Sequence, residues 1–338
     1  MRPDVLLVSL GGTAGLREAD EELDASMRRA GAEVVVAPAE RPREWRTYAL
    51  LELAWARAAR AAAASAIHEH HPRAVLYSST TAALLAPRPG AIRFDAPAAG
   101  NRPGRHGIWQ RPVERRRFRD APLLAPWSEG GLAEAPSPRA DAVVVPVPVS
   151  ASGAPVERDI AAVTYGANPS KKGLDRVLAA WRAARHPGEE LVVAGLDEAG
   201  AKRAGLAAAI PGGAASGGGA VRFAGMLSRA DYRSLLRRAR VFVTAPRRED
   251  YGLAQLEALA DGCRLVTTAS PGPYAALPLA RQLDSRLVGG IAEGIRTALD
   301  HPSPDYAERA AELLQPWRPE AVDRVVREEL LPRLVSRP

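Results

Sequence analysis

Short apolar runs alternate with longer amphipathic or alanine-rich stretches along most of this chain. Val5-Leu6-Leu7-Val8 is apolar at every position, as in a strand buried on both faces. The first half predicts strands at 5–9, 33–37, 74–77, 91–94, 123–125 and 143–145. Helices are expected between them over 18–30, 44–69 and 80–85, with Gly31 and Pro72 placed to end the first two. The second half repeats the rhythm, with strands at 160–165, 190–194, 221–224, 241–244 and 264–268. Its helices fall near 173–185, 197–208, 229–239, 252–261 and 290–299. Residues 97–119 carry no such pattern and read as irregular and basic, and 211–219 read as a glycine-rich loop. The tail over 305–335 predicts two helices separated at Pro316-Trp317-Arg318-Pro319. Alternating strands and helices imply parallel sheets covered on both faces. The Pro/Gly-rich stretch 146–155 reads as a hinge, so two Rossmann-like doubly wound halves are expected to face each other across a cleft.

A length of 338 residues agrees with two domains, and a hydrophobic content of 46% is enough for two cores. No apolar run approaches the ~20 residues of a membrane-spanning helix. The first residues lead into a strand without a signal-peptide pattern, so a cytoplasmic protein is expected. A single cysteine, Cys263, excludes an internal disulfide and a cysteine-based zinc site. The net charge of +7 is carried almost wholly by arginine, because the lysines are only Lys171, Lys172 and Lys202. That arginine bias weakens the charge as an argument for an anionic partner, whereas the adjacent pair Lys171-Lys172 strengthens it locally. No nucleic-acid-binding module is present. His68-Glu69-His70-His71 ends an alanine-rich helix and reads as a solvated helix end, with no metal expected.

Glu249 and Glu257 are separated by seven residues, and Glu257 lies between Leu256 and Ala258 on a helix otherwise fit for a core. A carboxylate there is costly unless something pairs with it, which points to a ligand. Ligands of doubly wound sheets bind at the carboxyl ends of strands. Four segments end strands in the second half: 166–173, 195–196, 225–227 and 247–253. Lys172 precedes Gly173 at a helix start, and a cation beside helix amides suits a diphosphate. Ionised carboxylates only accept hydrogen bonds, which suits sugar and ribose hydroxyls.

Residues 160–290 resemble the donor domain of family-4 (group 1) glycosyltransferases, which have the GT-B fold. The resemblance is carried by Gly166 to Lys172-Gly173-Leu174, by Val221-Arg222-Phe223-Ala224-Gly225 and by Ala239-Arg240-Val241-Phe242-Val243. It continues from Glu249-Asp250-Tyr251-Gly252-Leu253 through Glu257 to Gly262, and residues 5–36 resemble the family's first strand–helix unit. The implied layout is an acceptor-side domain over 1–150 and a nucleotide-sugar donor domain over 151–304. Helices over 305–338 would cross back onto the first domain.

The resemblance implies a retaining, metal-independent transfer from a nucleotide-diphosphate sugar, with no cofactor. Glu249 would bind the donor sugar, Glu257 the ribose, and Lys172 the diphosphate. The amides of Tyr251, Gly252 and Leu253 would support sugar and phosphate. Met226, after Gly225, would lie by the base, and Gly11 and Gly12 would let the first domain's backbone approach the phosphate. Two positions depart from the family pattern. Ala167 stands where a second diphosphate arginine is usual, with Lys171, Arg247 or Arg248 as substitutes. Phe94-Asp95 stands where many relatives place a histidine, which makes Asp95 a candidate for the acceptor's proton.

The acceptor, whether glycan, lipid or small molecule, is not legible. Between Arg102 and Arg119 seven arginines stand with Trp109 and Phe118 against Glu114, a composition that suits an anionic membrane surface such as the inner membrane face. Competing readings are a non-catalytic sugar-nucleotide binder, a nucleotide-sugar epimerase or a phosphorylase of the same fold.

Overall fold

The computed structural model describes residues 2–43, 47–102, 104–206 and 221–335. The glycine-rich loop expected at 211–219 lies outside them, as do residues 44–46 and 207–208 of two expected helices. The chain forms two compact units, Met1–Pro148 with Pro316–Pro338, and Val149–Gln315.

The first unit holds five parallel strands: β1 (Val5–Ser9), β2 (Val34–Pro38), β3 (Ala74–Tyr77), β4 (Ala91–Phe94) and β5 (Leu124–Pro126). Their order is β2-β1-β3-β4-β5, the flavodoxin-like arrangement. Alternate residues of β1 enter different cores. Leu6 and Val8 join Ala59, Ala63 and Ala66, from the helix Tyr48–His70. Val5 and Leu7 join Leu23 and Met27, from the helix Ala14–Arg29. Val322, Val326, Leu330 and Leu334, spaced four apart, complete that second core. The chain's end is fastened there by Asp323, which accepts from Ser26 Oγ at 2.6 Å and Arg29 Nε at 2.7 Å.

The return to the first unit begins at Pro316, later than the expected 305. The helix Tyr306–Leu313 stays with the second unit, where Leu265 N donates to Tyr306 Oη at 3.1 Å.

The structure differs from the sequence pattern in two further places. Residues 97–119 contain the helices Ala98–Asn101 and Gln110–Asp120. The buried positions of the longer one, Gln110, Glu114 and Phe118, share one face, but two of the three are polar and hide its period. Residues 143–145 run beside β5, with Val143 N bonded to Leu124 O at 2.9 Å and Val145 N to Pro126 O at 2.8 Å. Only a single bridge forms there, because Pro146 and Pro148 have no amide to continue a ladder.

The second unit also holds five parallel strands: β6 (Ile160–Tyr165), β7 (Leu191–Ala194), β8 (Val221–Gly225), β9 (Ala239–Val243) and β10 (Arg264–Val266). Their order is β10-β9-β6-β7-β8. The direction of winding reverses between β6 and β9, the place where doubly wound sheets bind ligands. Among the described residues no helix is long and apolar enough to cross a membrane.

Candidate active site

The loops that leave β6 and β9 carry the charged residues singled out by the sequence, and the backbone ties them together. Arg247 N donates to Lys171 O at 2.9 Å, and Glu249 N to Pro271 O at 3.0 Å. After β6, Asn168 Oδ1 accepts from Lys171 N at 3.1 Å and opens a single turn, Pro169–Lys172. Gly173 reverses direction with φ +62°, and a Cβ there would stand 1.9 Å from Ala245 O. Only glycine fits that crossing between the two loops.

Glu249 is 3% exposed. Lys172 Nζ donates to both of its oxygens, at 2.9 and 2.7 Å, and Gln255 Nε2 donates to Oε2 at 2.8 Å. A buried carboxylate is tolerable here because it is both paired and hydrogen-bonded. Gln255 was not anticipated, although its signal is present as a lone polar residue in Leu253-Ala254-Gln255-Leu256. Beside this group, Asp250 receives Lys171 Nζ and, at 2.7 Å, Arg248 Nε. Despite its burial, Lys171 and Arg248 hold the Asp250 carboxyl below its ordinary range. Arg247 turns outward, bonding Asp175 at 2.8 and 2.6 Å and Ser170 O at 2.9 Å. Of the three substitutes for an arginine at 167, only Lys171 and Arg248 therefore converge beside Glu249.

Gly252 adopts φ +92° and precedes the helix Leu253–Ala260. A Cβ there would meet the Tyr274 ring at 2.9 Å. The first amides of a helix have no intrahelical acceptor, so this turn suits an anion or a hydroxyl. Tyr251 is buried, whereas Met226, at the end of β8, is 70% exposed.

Glu257 does have a protein partner, so its burial is not by itself the sign of a ligand that the sequence suggested. Arg233 Nη1 stands 3.5 Å from its Oε1. The same guanidinium donates Nε to Asp261 Oδ2 at 2.7 Å and Nη2 to Ser150 O at 2.6 Å. Ser152 N completes the group on Asp261 Oδ1 at 2.7 Å. The presumed hinge is thus fastened to the second unit from Ser150 onward. Burial raises the Glu257 pKa against the opposing pull of Arg233 and Arg229.

In the first unit, Asp95 follows β4 and its Oδ1 accepts from Ala96 N at 2.7 Å. Gly11 and Gly12 follow β1. Much of the basic segment turns inward. Arg102 donates to Glu52 at 2.9 Å and stacks 4.5 Å from the Tyr48 ring centroid. Arg117 caps the carbonyls of Leu84 and Ala86, Phe118 is buried, and Trp109 Nε1 donates to Ala49 O. The segment therefore does not present those two aromatic residues to a surface as its composition suggested. Arg105 and Arg115 are exposed, with Ile108 nearby in sequence at 66% exposure.

Glu114 accepts from Ala98 N with both oxygens, at 2.8 and 2.9 Å. Burial lifts its pKa from 4.5 to about 7. The folded-state value lies above the unfolded one, so stability is lost as pH rises through that interval. Glu114→Gln should raise stability by roughly 2–4 kcal/mol near pH 8, with the gain vanishing towards pH 4.5. Urea melts of both proteins across that range would check this.

Among the described residues no group of three or more His, Cys, Asp or Glu could hold a metal ion.

Residues 150–309 match the family model described as glycosyl transferases group 1. No curated protein matches the chain. Solved structures do. Sucrose-phosphate synthase from Thermosynechococcus elongatus superposes with a TM-score of 0.75 at 14% identity, covering 96% of each chain. WaaG, a glycosyltransferase involved in lipopolysaccharide biosynthesis, gives 0.68 at 16% identity, covering 96% of this chain and 99% of that one. Anabaena HepE in complex with UDP and glucose gives 0.67 at 14% identity, covering 97% and 99%. Residues 150–309, which hold the paired glutamates and Lys172, therefore belong to the group 1 glycosyltransferases, and the whole chain has the GT-B fold.

Proposed function

We propose that the protein is a retaining glycosyltransferase that moves a sugar from a nucleotide-diphosphate sugar to an acceptor hydroxyl. The observation that carries this reading is the buried Glu249 held by Lys172 and Gln255 beside the β6–β9 switch point. An ammonium next to a hydroxyl-accepting carboxylate matches a sugar joined to a diphosphate. Lys172 and the first amides of Leu253–Ala260 take up charge on the departing phosphate, with Lys171 and Arg248 as the supplementary cations. Glu249 holds the sugar hydroxyls, Glu257 the ribose, and Gly225-Met226 flank the base. The acceptor oxygen bonds to the anomeric carbon as the bond to the diphosphate breaks on the same face. The bonding pair leaves with the diphosphate, and Asp95 takes the acceptor's proton. No cofactor or metal is called for, because stabilising the leaving group is the main chemical demand.

The test is a thermal-shift screen of UDP-, GDP-, ADP- and TDP-sugars, followed by transfer assays with the donor that binds. UDP-sugars come first, since HepE structures hold UDP and UDP-glucose. A nucleotide that binds without transfer or hydrolysis against any acceptor would favour a non-catalytic binder, the reading that Ala167 favours. Interconversion of the free donor would indicate an epimerase.

Attachment to an anionic membrane is a second proposal, supported by Arg105, Arg115 and the exposed Ile108. Flotation with phosphatidylserine vesicles should fall in R105A/R115A; equal flotation would refute it.

A further inference from the structure

The roles proposed for Lys172 and Glu249 make competing demands on one ion pair. Lys172 Nζ spends two of its three N–H groups on the Glu249 carboxylate, at 2.9 and 2.7 Å. Those bonds and the one from Gln255 Nε2, at 2.8 Å, take up three of the carboxylate's about four lone-pair sites. At most one is left for a sugar hydroxyl. An ammonium turned to a diphosphate and a carboxylate free to accept from a sugar both require the pair to open.

The two donors differ in their freedom to move. Lys172 reaches Glu249 along a flexible aliphatic stem from the last residue of the turn Pro169–Lys172, and its side chain is 19% exposed. Gln255 is 1% exposed. It lies in the first turn of Leu253–Ala260, with its backbone N on Gly252 O at 3.1 Å. Its amide can meet Glu249 in one sense only, because Nε2 donates and Oε1 cannot. Oε1 is turned to the Gly252 bend, 3.5 Å from where a Cβ at that glycine would stand. The amide therefore spans from the carboxylate to the bend whose free N–H groups suit an anion.

Building on the donor-site roles proposed for Lys172 and Glu249, we infer that the donor opens this pair and that Gln255 is the positioning residue that holds Glu249 afterwards. Lys172 passes to the diphosphate, and the vacated lone pairs of Glu249 pass to sugar hydroxyls. A buried carboxylate that lost every donor at once would be costly. Gln255 keeps one bond in place and fixes the direction in which the remaining lone pairs point. It acts on the sugar only through Glu249. A nucleoside diphosphate without its sugar takes Lys172 but offers Glu249 nothing in return, so for that ligand the pair is a competitor.

The probes are UDP, GDP, ADP and TDP and their sugar nucleotides, read by isothermal calorimetry and transfer kinetics on the full chain. Glu249→Gln releases Lys172 from its counter-charge, so at least one nucleoside diphosphate should bind it about fivefold tighter than wild type, although transfer is lost. Glu249→Ala should behave alike. Gln255→Leu should leave nucleoside diphosphate affinity within about twofold of wild type and lower kcat/KM for transfer about 10–100-fold, the loss of a hydrogen bond to a charged group. Gln255→Met, unbranched and of similar length, repeats the test if the leucine variant does not fold. A merely structural role for Gln255 would weaken both ligands together, and that result would overturn its positioning role, as would normal transfer by the folded variants. Unchanged or weaker nucleoside diphosphate binding in both Glu249 variants would overturn the exchange. Failure of the underlying reading looks different. If none of the four nucleotides binds wild type, the donor site falls and this inference with it. If wild type binds a sugar nucleotide without transferring from it, the proposed transfer falls; the inference then stands if Gln255→Leu weakens that sugar nucleotide but not its nucleoside diphosphate, and falls otherwise.

Discussion

Lys172→Ala should lower kcat/KM for sugar transfer by about 10²–10³-fold, equivalent to roughly 3–4 kcal/mol of transition-state stabilisation. Two losses combine. The departing diphosphate loses its ammonium, and Glu249 keeps its buried place without the cation that bonds both of its oxygens. A desolvated carboxylate stripped of its partner is costly, so the variant should also be less stable than wild type. Lys172→Arg restores the charge but not the compact ammonium geometry, so rescue should be partial. Glu249→Ala should be comparably inactive, and the double variant little worse than either, because the pair acts as a unit. Arg247→Ala provides the contrast. Its guanidinium is committed to Asp175 on the outside, and its rate should stay within about threefold of wild type. Steady-state transfer kinetics of these five variants and the wild type would check this, and near-normal turnover by both Lys172→Ala and Glu249→Ala would refute the assignment.

Arg233→Ala should destabilise the second unit by about 3–5 kcal/mol, the usual consequence of removing one partner from a buried ion group. Its guanidinium is shared by Asp261, Glu257 and the Ser150 carbonyl, and the Asp261 side chain is 0% exposed. Burial already raises the Glu257 pKa against the pull of Arg233, so without Arg233 its carboxylate would take up a proton still more readily in the folded state than in the unfolded one. The deficit should then be largest above neutral pH and shrink as pH falls towards about 4, where the unfolded carboxylates also protonate. Urea melts near pH 8 and pH 5 would show this. A pH-independent deficit would mean that lost packing, not uncompensated charge, is the cause. Arg233→Met separates the two further, since it keeps most of the side-chain volume.

The paired glutamates, Lys172 and the glycines that shape their loops were legible because they sit in short local signals. A charged residue at a strand end or inside an apolar helix stands out against its neighbours. Partners brought from far along the chain were not legible. Glu257 and Asp261 lie four apart on one helix face and call for a cation, but nothing local names Arg233, which comes from another helix. The helix Gln110–Asp120 was missed for a related reason. Its buried face is Gln110, Glu114 and Phe118, and Glu114 belongs inside because it caps the Ala98 amide. Polar burial of this kind is defined by its partner, not by its period.

By itself the sequence determined the two α/β halves and the loops that carry the proposed donor site. Strand and helix periods, and the backbone freedom of residues such as Gly173 and Gly252, act over a few residues. Only the tertiary structure decided how those loops are joined, with Arg247 N on Lys171 O and Lys172 on Glu249. It alone set aside Arg247, turned Arg102 and Arg117 inward, and brought β1, β2 and Trp55 around one cavity. The physical reason is that pairing and exclusion of water depend on groups that meet only when the sheets assemble, and a buried charge is stable only where such a group arrives.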